Sequence, residues 1–308
     1  MKKNQARLRF QDFSFTKIND QSFVKKLRGE PIFFKLIDWK NQDKFEQILD
    51  LQKQVWGFDD ISVVPKNILS IATDTGGLIV LVENQAGQAL GFALCLGTTD
   101  NFLLLHMIGI TANLRFSNLG FNLSVFVALI AQEKHIDQII WTFDPLRGSN
   151  ANLNFAKLGG RSDTYLIDKY GQISSTLYGQ IPTDRLLVKW DISDPVVIRK
   201  LLGVERQTVK SSVKKITKLP IVDSQDLDLQ KIVNNYQKLL VEIPADIDLL
   251  SDLDKTIWRK KLRQILVVLL PPSQSNHIKK GNYQISDFFS IKSEDKKRQN
   301  YYLLTRKR

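Results

Sequence analysis

The segment from His106 to Phe143, HMIGITANLRFSNLGFNLSVFVALIAQEKHIDQIIWTF, gathers residue types that suit binding and acting on a charged substrate. Its corner, RFSNLG, supplies Arg115, Asn118 and Gly120 just before an apolar run. A helix N-terminus leaves its first backbone N–H groups unpaired and carries the positive end of the helix dipole, so phosphate sits there readily. Arginine adds charge, and glycine lets the backbone approach a ligand closely. The same residues also suit an ordinary strand-to-helix corner. His106, on the apolar run before the corner, fits a general base or a packed ring. Asp144, in TFDPL, fits a base or an amine-binding carboxylate, or else an aspartate before proline that shapes a turn. Tyr165 in DTYL and Tyr170 in DKYG offer an acidic hydroxyl or a packed aromatic ring. Arg185, in PTDR, suits a substrate carboxylate or a local pairing around Asp184.

These residues need a scaffold, and the apolar pattern supplies one. PIFFKLIDWK (31–40) reads as a strand, and NQDKFEQILDLQKQVWG (41–57) as a helix that ends at Gly57. GLIVLVEN (77–84), GQALGFALCLGTT (87–99) and FLLLHMIGIT (102–111) read as a three-strand meander joined by polar, Gly- or Asn-containing turns. Residues 117–134 are apolar nearly all round, as in a helix buried on most sides. DQIIWTF (137–143) is a buried strand, and SNANLNFAKLGG (149–160) a helix with Ser149 or Asn150 near its start and Gly159 at its end. RSDTYLID and DRLLVKWDI are two more strands. Beyond Asp194 the texture turns basic and weakly patterned. Helices are expected at 226–240 and 253–270, with strands in LLVEIPADI, YQISDFFSI and NYYLLTRK. In the second helix Trp258, Leu262, Ile265, Leu266 and Leu269 form a docking face, and Arg259, Lys260, Lys261 and Arg263 a basic face toward solvent or an acceptor cleft. The fold class is α/β, an α+β-like mixed sheet, because a meander is incompatible with a purely parallel doubly wound sheet. The expected division is 1–31 as an N-terminal extension, 32–192 as the core and 193–308 as a smaller α+β companion.

Composition narrows the function. At 43% hydrophobic and 25% charged, the 308 residues are those of a globular protein. No apolar run reaches the roughly 18 residues that cross a bilayer. The start MKKNQARLRFQDF has no apolar stretch of a signal peptide, so a cytoplasmic location is expected. Cys95 is the single cysteine and the three histidines, at 106, 135 and 277, are far apart in sequence, so no metal site is expected. The net charge of +12 is uneven. Residues 1–40 carry ten basic and four acidic side chains, 41–192 eleven and fifteen, and 193–308 twenty-three and thirteen. The basic flanks allow a nucleic-acid or membrane-surface role, but their lysines are scattered among Asp and Gln and no nucleic-acid motif accompanies them.

A three-strand meander, the RFSNLG corner, a buried helix, a buried strand and then NANLNFAKLGG together resemble the GNAT superfamily of acyl-CoA-dependent N-acyltransferases. The resemblance covers about 32–192. IIWTFDPLRGSNANLNFAKLGG and IPTDRLLVKW look like a predicted-acetyltransferase branch of that superfamily, and VEIPADI, Trp258-Arg259 and YQISDF…YYLL (within 239–305) look like its C-terminal extension. The resemblance implies an R/Q-x-x-G-x-G/A loop whose amides hold the CoA pyrophosphate, with Arg115 first, Asn118 at the middle glycine and Gly120 last. Phe116, Ser117, Leu119 and Phe121 then lie within or beside it. It implies an acyl-CoA in a V-shaped opening between the fourth and fifth strands, with the main chain of Met107, Ile108 and Ile110 against pantetheine, and Asn150, Asn152 and Asn154 either capping a helix or touching CoA. Phe155 stands where such enzymes often place an acidic tyrosine. The implied co-substrate is acetyl-CoA or another acyl-CoA such as succinyl-CoA, with no metal, and the acceptor a small-molecule amine, possibly a carboxylated one such as an amino acid. His106, Asp144 and Tyr170 are the candidate catalytic groups and Arg185 the substrate-binding one. A catalytically inactive acyl-CoA-binding module is the alternative, carried by Phe155 and Asn118.

Overall fold

A computed structural model describes residues 7–114, 118–171, 181–204, 218–223, 235–270, 283–292 and 298–307. The chain forms two compact units. The first holds the described residues up to Trp141 together with Asp191–Ile198. The second holds those from Thr142 to Trp190 and from Arg199 onward. The expected 32–192 core is therefore shared between the two units.

In the first unit, β1 (Thr16–Asn19), β2 (Ser22–Leu27) and β3 (Glu30–Ile37) precede α1 (Gln42–Trp56) and α2 (Lys66–Asp74). The meander β4 (Leu78–Glu83), β5 (Ala89–Gly97) and β6 (Leu103–Ile110) follows, then α3 (Leu119–Glu133) and β7 (Gln138–Phe143). The strands lie in the order β1-β2-β3-β4-β5-β6-β7. Neighbours are antiparallel up to β6, and β6 and β7 are parallel. Helices α1 and α2 pack with the sheet through Phe45, Ile48, Leu51, Leu69 and Ala72 against Ile79, Leu81, Phe92, Leu94 and Met107. Gly57 caps α1 in a left-handed conformation, its N–H donating to the Lys53 carbonyl at 2.8 Å.

Helix α3 is buried along nearly its whole length, from Leu119 to Gln132. An amphipathic helix would leave one face wet; here the N-terminal segment covers it. Phe126 meets Phe10, Phe15, Phe23 and Phe34 at ring-centroid distances of 5.1 to 6.0 Å. Gln132 accepts from the Leu8 N–H at 3.2 Å and donates to the Ile192 carbonyl at 3.1 Å. The segment expected as a mere extension, 1–31, thus contributes two strands and part of a core. Its pattern hides this, because β1 is exposed at every residue and β2 carries two lysines. Helix α2 was likewise not anticipated from the sequence.

The second unit contains α4 (Gly148–Ala151), a π-helical turn (Asn152–Lys157), β8 (Arg161–Leu166) and β9 (Arg185–Asp191). Helix α5 (Pro195–Leu201) begins in the first unit and passes into the second at Arg199; β10 (Ile221–Val222), β11 (Lys238–Ile243), α6 (Asp252–Leu269), β12 (Tyr283–Lys292) and β13 (Arg298–Arg306) complete the order. The sheet runs β9-β8-β12-β13-β11-β10. The helix expected over 149–160 is regular only to Ala151 and then widens into the π turn, after which Gly159 adopts φ +77°. The helix expected over 226–240 is not borne out at its end, where Lys238–Ile243 pair as β11 with β13; residues 226–234 lie outside the described residues. Leu239 to Val241 are all buried there, a continuous apolar run that suits a two-sided strand.

No helix among the described residues is long and apolar enough to cross a membrane.

Candidate functional site

In the first unit the site is built on β6 and the start of α3. Strand β5 pairs with β6 from Leu103 to Ile110. The parallel pairing with β7 is confined to Leu103↔Ile139 and Leu104↔Ile140. From Leu105 to Ile110, β6 continues without a β7 partner among the described residues, and Met107, Ile108 and Ile110 lie in this stretch. A short 3-10 turn, Ala112–Leu114, then leads to the corner. The Thr111 Oγ is buried there with no hydrogen-bond partner, and buried hydroxyls are normally satisfied.

Asn118 is the N-cap residue of α3, at φ 63° and ψ 10°. This is the left-handed region, where asparagine is the best tolerated residue after glycine. Its carbonyl accepts from the Asn122 N–H at 3.0 Å and from the Asn122 side chain at 2.9 Å. Leu119 is buried, and Gly120 and Phe121 are half-buried. Arg115, Phe116 and Ser117 lie outside the described residues. His106 projects from β6 to solvent, yet desolvation by the protein around it lowers its pKa below the ordinary 6.5, so its imidazole is neutral at pH 7.

The remaining sequence candidates fall in the second unit. Asp144 is buried. One of its oxygens accepts from the Leu146 N–H at 2.9 Å, and both accept from Arg259 Nη2 at 2.8 Å. Of its expected roles, turn-shaping is the one this geometry displays, and the carboxylate also neutralises a buried guanidinium. Tyr170 is half exposed and shares a 2.8 Å hydrogen bond with the Thr142 hydroxyl. Arg185 is buried, with Nη1 donating to the Asp184 carbonyl at 3.0 Å and the guanidinium carbon 5.4 Å from the Tyr170 ring centroid. Its local pairing, the second of the two expectations, is what the geometry displays. Asn150 is exposed and Asn154 buried in the π turn, its carbonyl accepting from the Gly160 N–H at 2.9 Å. Phe155 is fully buried between Phe143 and Tyr302, 5.8 Å from each.

The charged face expected on α6 is also corrected. Arg259 is buried and Arg263 partly so. Arg263 forms a two-pronged pair with Asp184, Nε at 2.9 Å and Nη2 at 2.6 Å, the geometry in which Arg–carboxylate pairs are strongest. Tyr165 donates its hydroxyl to the same carboxylate. Burial alone would raise the Asp184 pKa, but the bonds from Arg263 and Tyr165 lower it overall. Burial and the adjacent Asp184 push the Tyr165 hydroxyl far above its usual value, which removes it as an acid near pH 7. This cluster was not anticipated from the sequence: its partners are 79 residues apart, and pairing over such a separation leaves no local pattern.

An acid-stability prediction follows. Desolvation works against charging Asp163, but hydrogen bonds from Lys307 and Lys189 prevail and pull its pKa from 3.8 to about 2. Asp163 and Asp184 are both more acidic folded than unfolded, so each contributes stability above about pH 4 that is lost as the pH falls through its folded pKa. Urea midpoints between pH 5 and 2 should fall in wild type and fall less steeply in Asp163→Asn. Equal slopes in the two proteins would contradict the linkage.

The chain order β3-α1-α2-β4-β5-β6-α3-β7-α4-β8-β9, with an antiparallel meander leading to a parallel pair of two residues, is the order read from the sequence with α2 added. Comparisons with known proteins give the following. No family model and no curated protein matches the chain. Among solved structures it is similar to an IAA acetyltransferase from Bacillus cereus (15% identity, 52% of this chain and 99% of the other, TM-score 0.40). It is also similar to a GNAT family acetyltransferase from Elizabethkingia anophelis with acetyl-CoA bound (16%, 52% and 97%, TM-score 0.40). A third is a Bacillus subtilis acetyltransferase in complex with CoA (18%, 54% and 99%, TM-score 0.41).

Proposed function

We propose that this chain is an acyl-CoA-dependent N-acyltransferase that transfers acetyl or another short acyl group, such as succinyl, to a small-molecule amine, in the cytoplasm. The observation that carries the reading is Asn118. It holds the left-handed conformation at the N-terminus of α3, where the loop of the GNAT superfamily has a glycine, and the preceding strand, β6, has no β7 partner over its second half among the described residues. Backbone N–H groups at the start of α3, with Arg115, hold the pyrophosphate of CoA. Main-chain groups of Met107, Ile108 and Ile110 pair with pantetheine, and the buried Thr111 hydroxyl gains a partner when the site fills. CoA supplies the acyl group as a thioester. His106, neutral at pH 7, takes the proton lost by the attacking amine. Amino-acid amines are within the scope of this reading.

Asn118 gives the test. Asn118→Gly should keep or tighten CoA binding measured by calorimetry. Asn118→Val should weaken it about tenfold, because a β-branched residue is poorly suited to positive φ. Tight CoA binding in Asn118→Val, or no binding by wild type, would refute the site. A second reading, a binder without turnover, is favoured by Phe155, which packs in the core and offers no hydroxyl. Release of free thiol from acetyl-CoA in the presence of amines separates the two.

A further inference from the structure

Arg259 is buried as deeply as Arg185 in the second unit's ionic cluster, and it is the arginine there whose guanidinium has buried atoms without a partner. Only its Nη2 has an acceptor, in Asp144. Its Nε and Nη1 are buried with no hydrogen-bond partner, which leaves three N–H donors unmatched. Every other charged or polar group that touches the cluster is engaged. Arg263 and Tyr165 hold Asp184, Arg185 holds the Asp184 carbonyl, and the Tyr302 hydroxyl donates to the Pro145 carbonyl at 2.6 Å. A buried donor left unpaired is costly, most of all when it is charged. Burial alone would lower the Arg259 pKa, but Asp144 raises it overall, so the group stays cationic. A neutral side chain cannot be assumed in place of the missing acceptor.

We propose that Arg259 is the base of a binding site for a small carboxylate, whose oxygens accept from Nε and Nη1. Residues 259 and 263 are four apart on α6 and share one helix face. Along that face the guanidinium side chains go from 33% exposed at Arg263 to 5% at Arg259, so the site has a wet end and a dry end. A monoanion suits it better than phosphate, because Asp144 and Asp184 stand beside it and a dianion would be repelled by both. The inference stands independently of acyl transfer, since no residue of the β6–α3 corner takes part.

The test is a thermal-shift and calorimetric titration of the full chain with acetate, propionate and inorganic phosphate at matched ionic strength. Saturable stabilisation by acetate or propionate, and none by phosphate, is the expected result. Arg259→Lys keeps a cation for Asp144 but removes the free donors, and should weaken carboxylate binding at least about tenfold. Should that variant fail to fold, Asp144→Asn gives a change of opposite sign: with a negative charge removed beside the guanidinium, carboxylate binding should tighten. Titration with CoA serves as the control and should be the same in Arg259→Lys as in wild type. The proposal is overturned if neither carboxylate stabilises wild type, as when water alone fills the site, if phosphate is preferred, or if Asp144→Asn leaves carboxylate binding unchanged or weaker.

Discussion

Asp144→Ala should lower the stability of the second unit by about 3–5 kcal/mol, because removing one member of a buried ion pair leaves the other charged and unpaired. Arg259 has little access to water and no second carboxylate to turn to within hydrogen-bonding distance. The Leu146 N–H also loses its acceptor. The double replacement Asp144→Leu with Arg259→Met should recover most of the loss, since apolar side chains of similar size often do as well as a buried pair. Urea unfolding followed by tryptophan fluorescence measures both, with Trp190 buried in the same unit as a reporter. A loss below about 1 kcal/mol for Asp144→Ala, the value of a surface pair, would show that the site is wetter than its geometry indicates. Acetate at high concentration should restore part of the loss in the single variant and none in the double one.

His106→Ala should reduce kcat for amine acylation by about 10²–10⁴-fold, the usual contribution of a positioned base, and should leave CoA affinity unchanged. The pH profile gives an independent check. The lowered pKa means that the base form dominates from below pH 6.5 upward, so with a weakly basic aryl amine kcat/KM should rise with pH to a plateau, with its midpoint below pH 6.5. The same shift has a consequence for stability. The unfolded chain takes up the proton more readily than the folded one, so acidification through pH 6.5 favours unfolding, and His106→Ala should remove that component. A mutant with wild-type kcat would assign the proton transfer elsewhere.

The first unit was the more legible of the two in sequence. Strands β4 to β6 announce themselves as apolar runs between polar turns, and α3 by having no polar face at all. The cover of α3 is harder to read, because Phe10 sits in a short 3-10 turn, Phe15 outside any regular element and Phe23 on a strand that also carries two lysines. Asn118 is legible as a residue suited to positive φ, since few residue types tolerate it, and its φ is 63°. The second unit was hard to read for a different reason. An arginine on a helix reads as a surface residue unless its partner is known. The partners of Arg259 and Arg263 come from loops 115 and 79 residues away. The β11 strand is legible in the run LLVEI, but the expected helix overruns its first residues, because an apolar run without alternation does not mark where a helix stops and a strand begins.

The wrapping of α3 by residues 7–37 has a consequence for the newborn chain. Synthesis proceeds from the N-terminus at about 5–20 residues per second, so the three strands and the phenylalanines at 10, 15, 23 and 34 leave the ribosome several seconds before Phe126 does. The most apolar helix of the protein is thus the late arrival at a place already prepared for it. Had the same cover been encoded at the far end of the gene, that helix would have waited bare through the making of some 170 further residues, at the stage when unfolded chains are most prone to stick to one another.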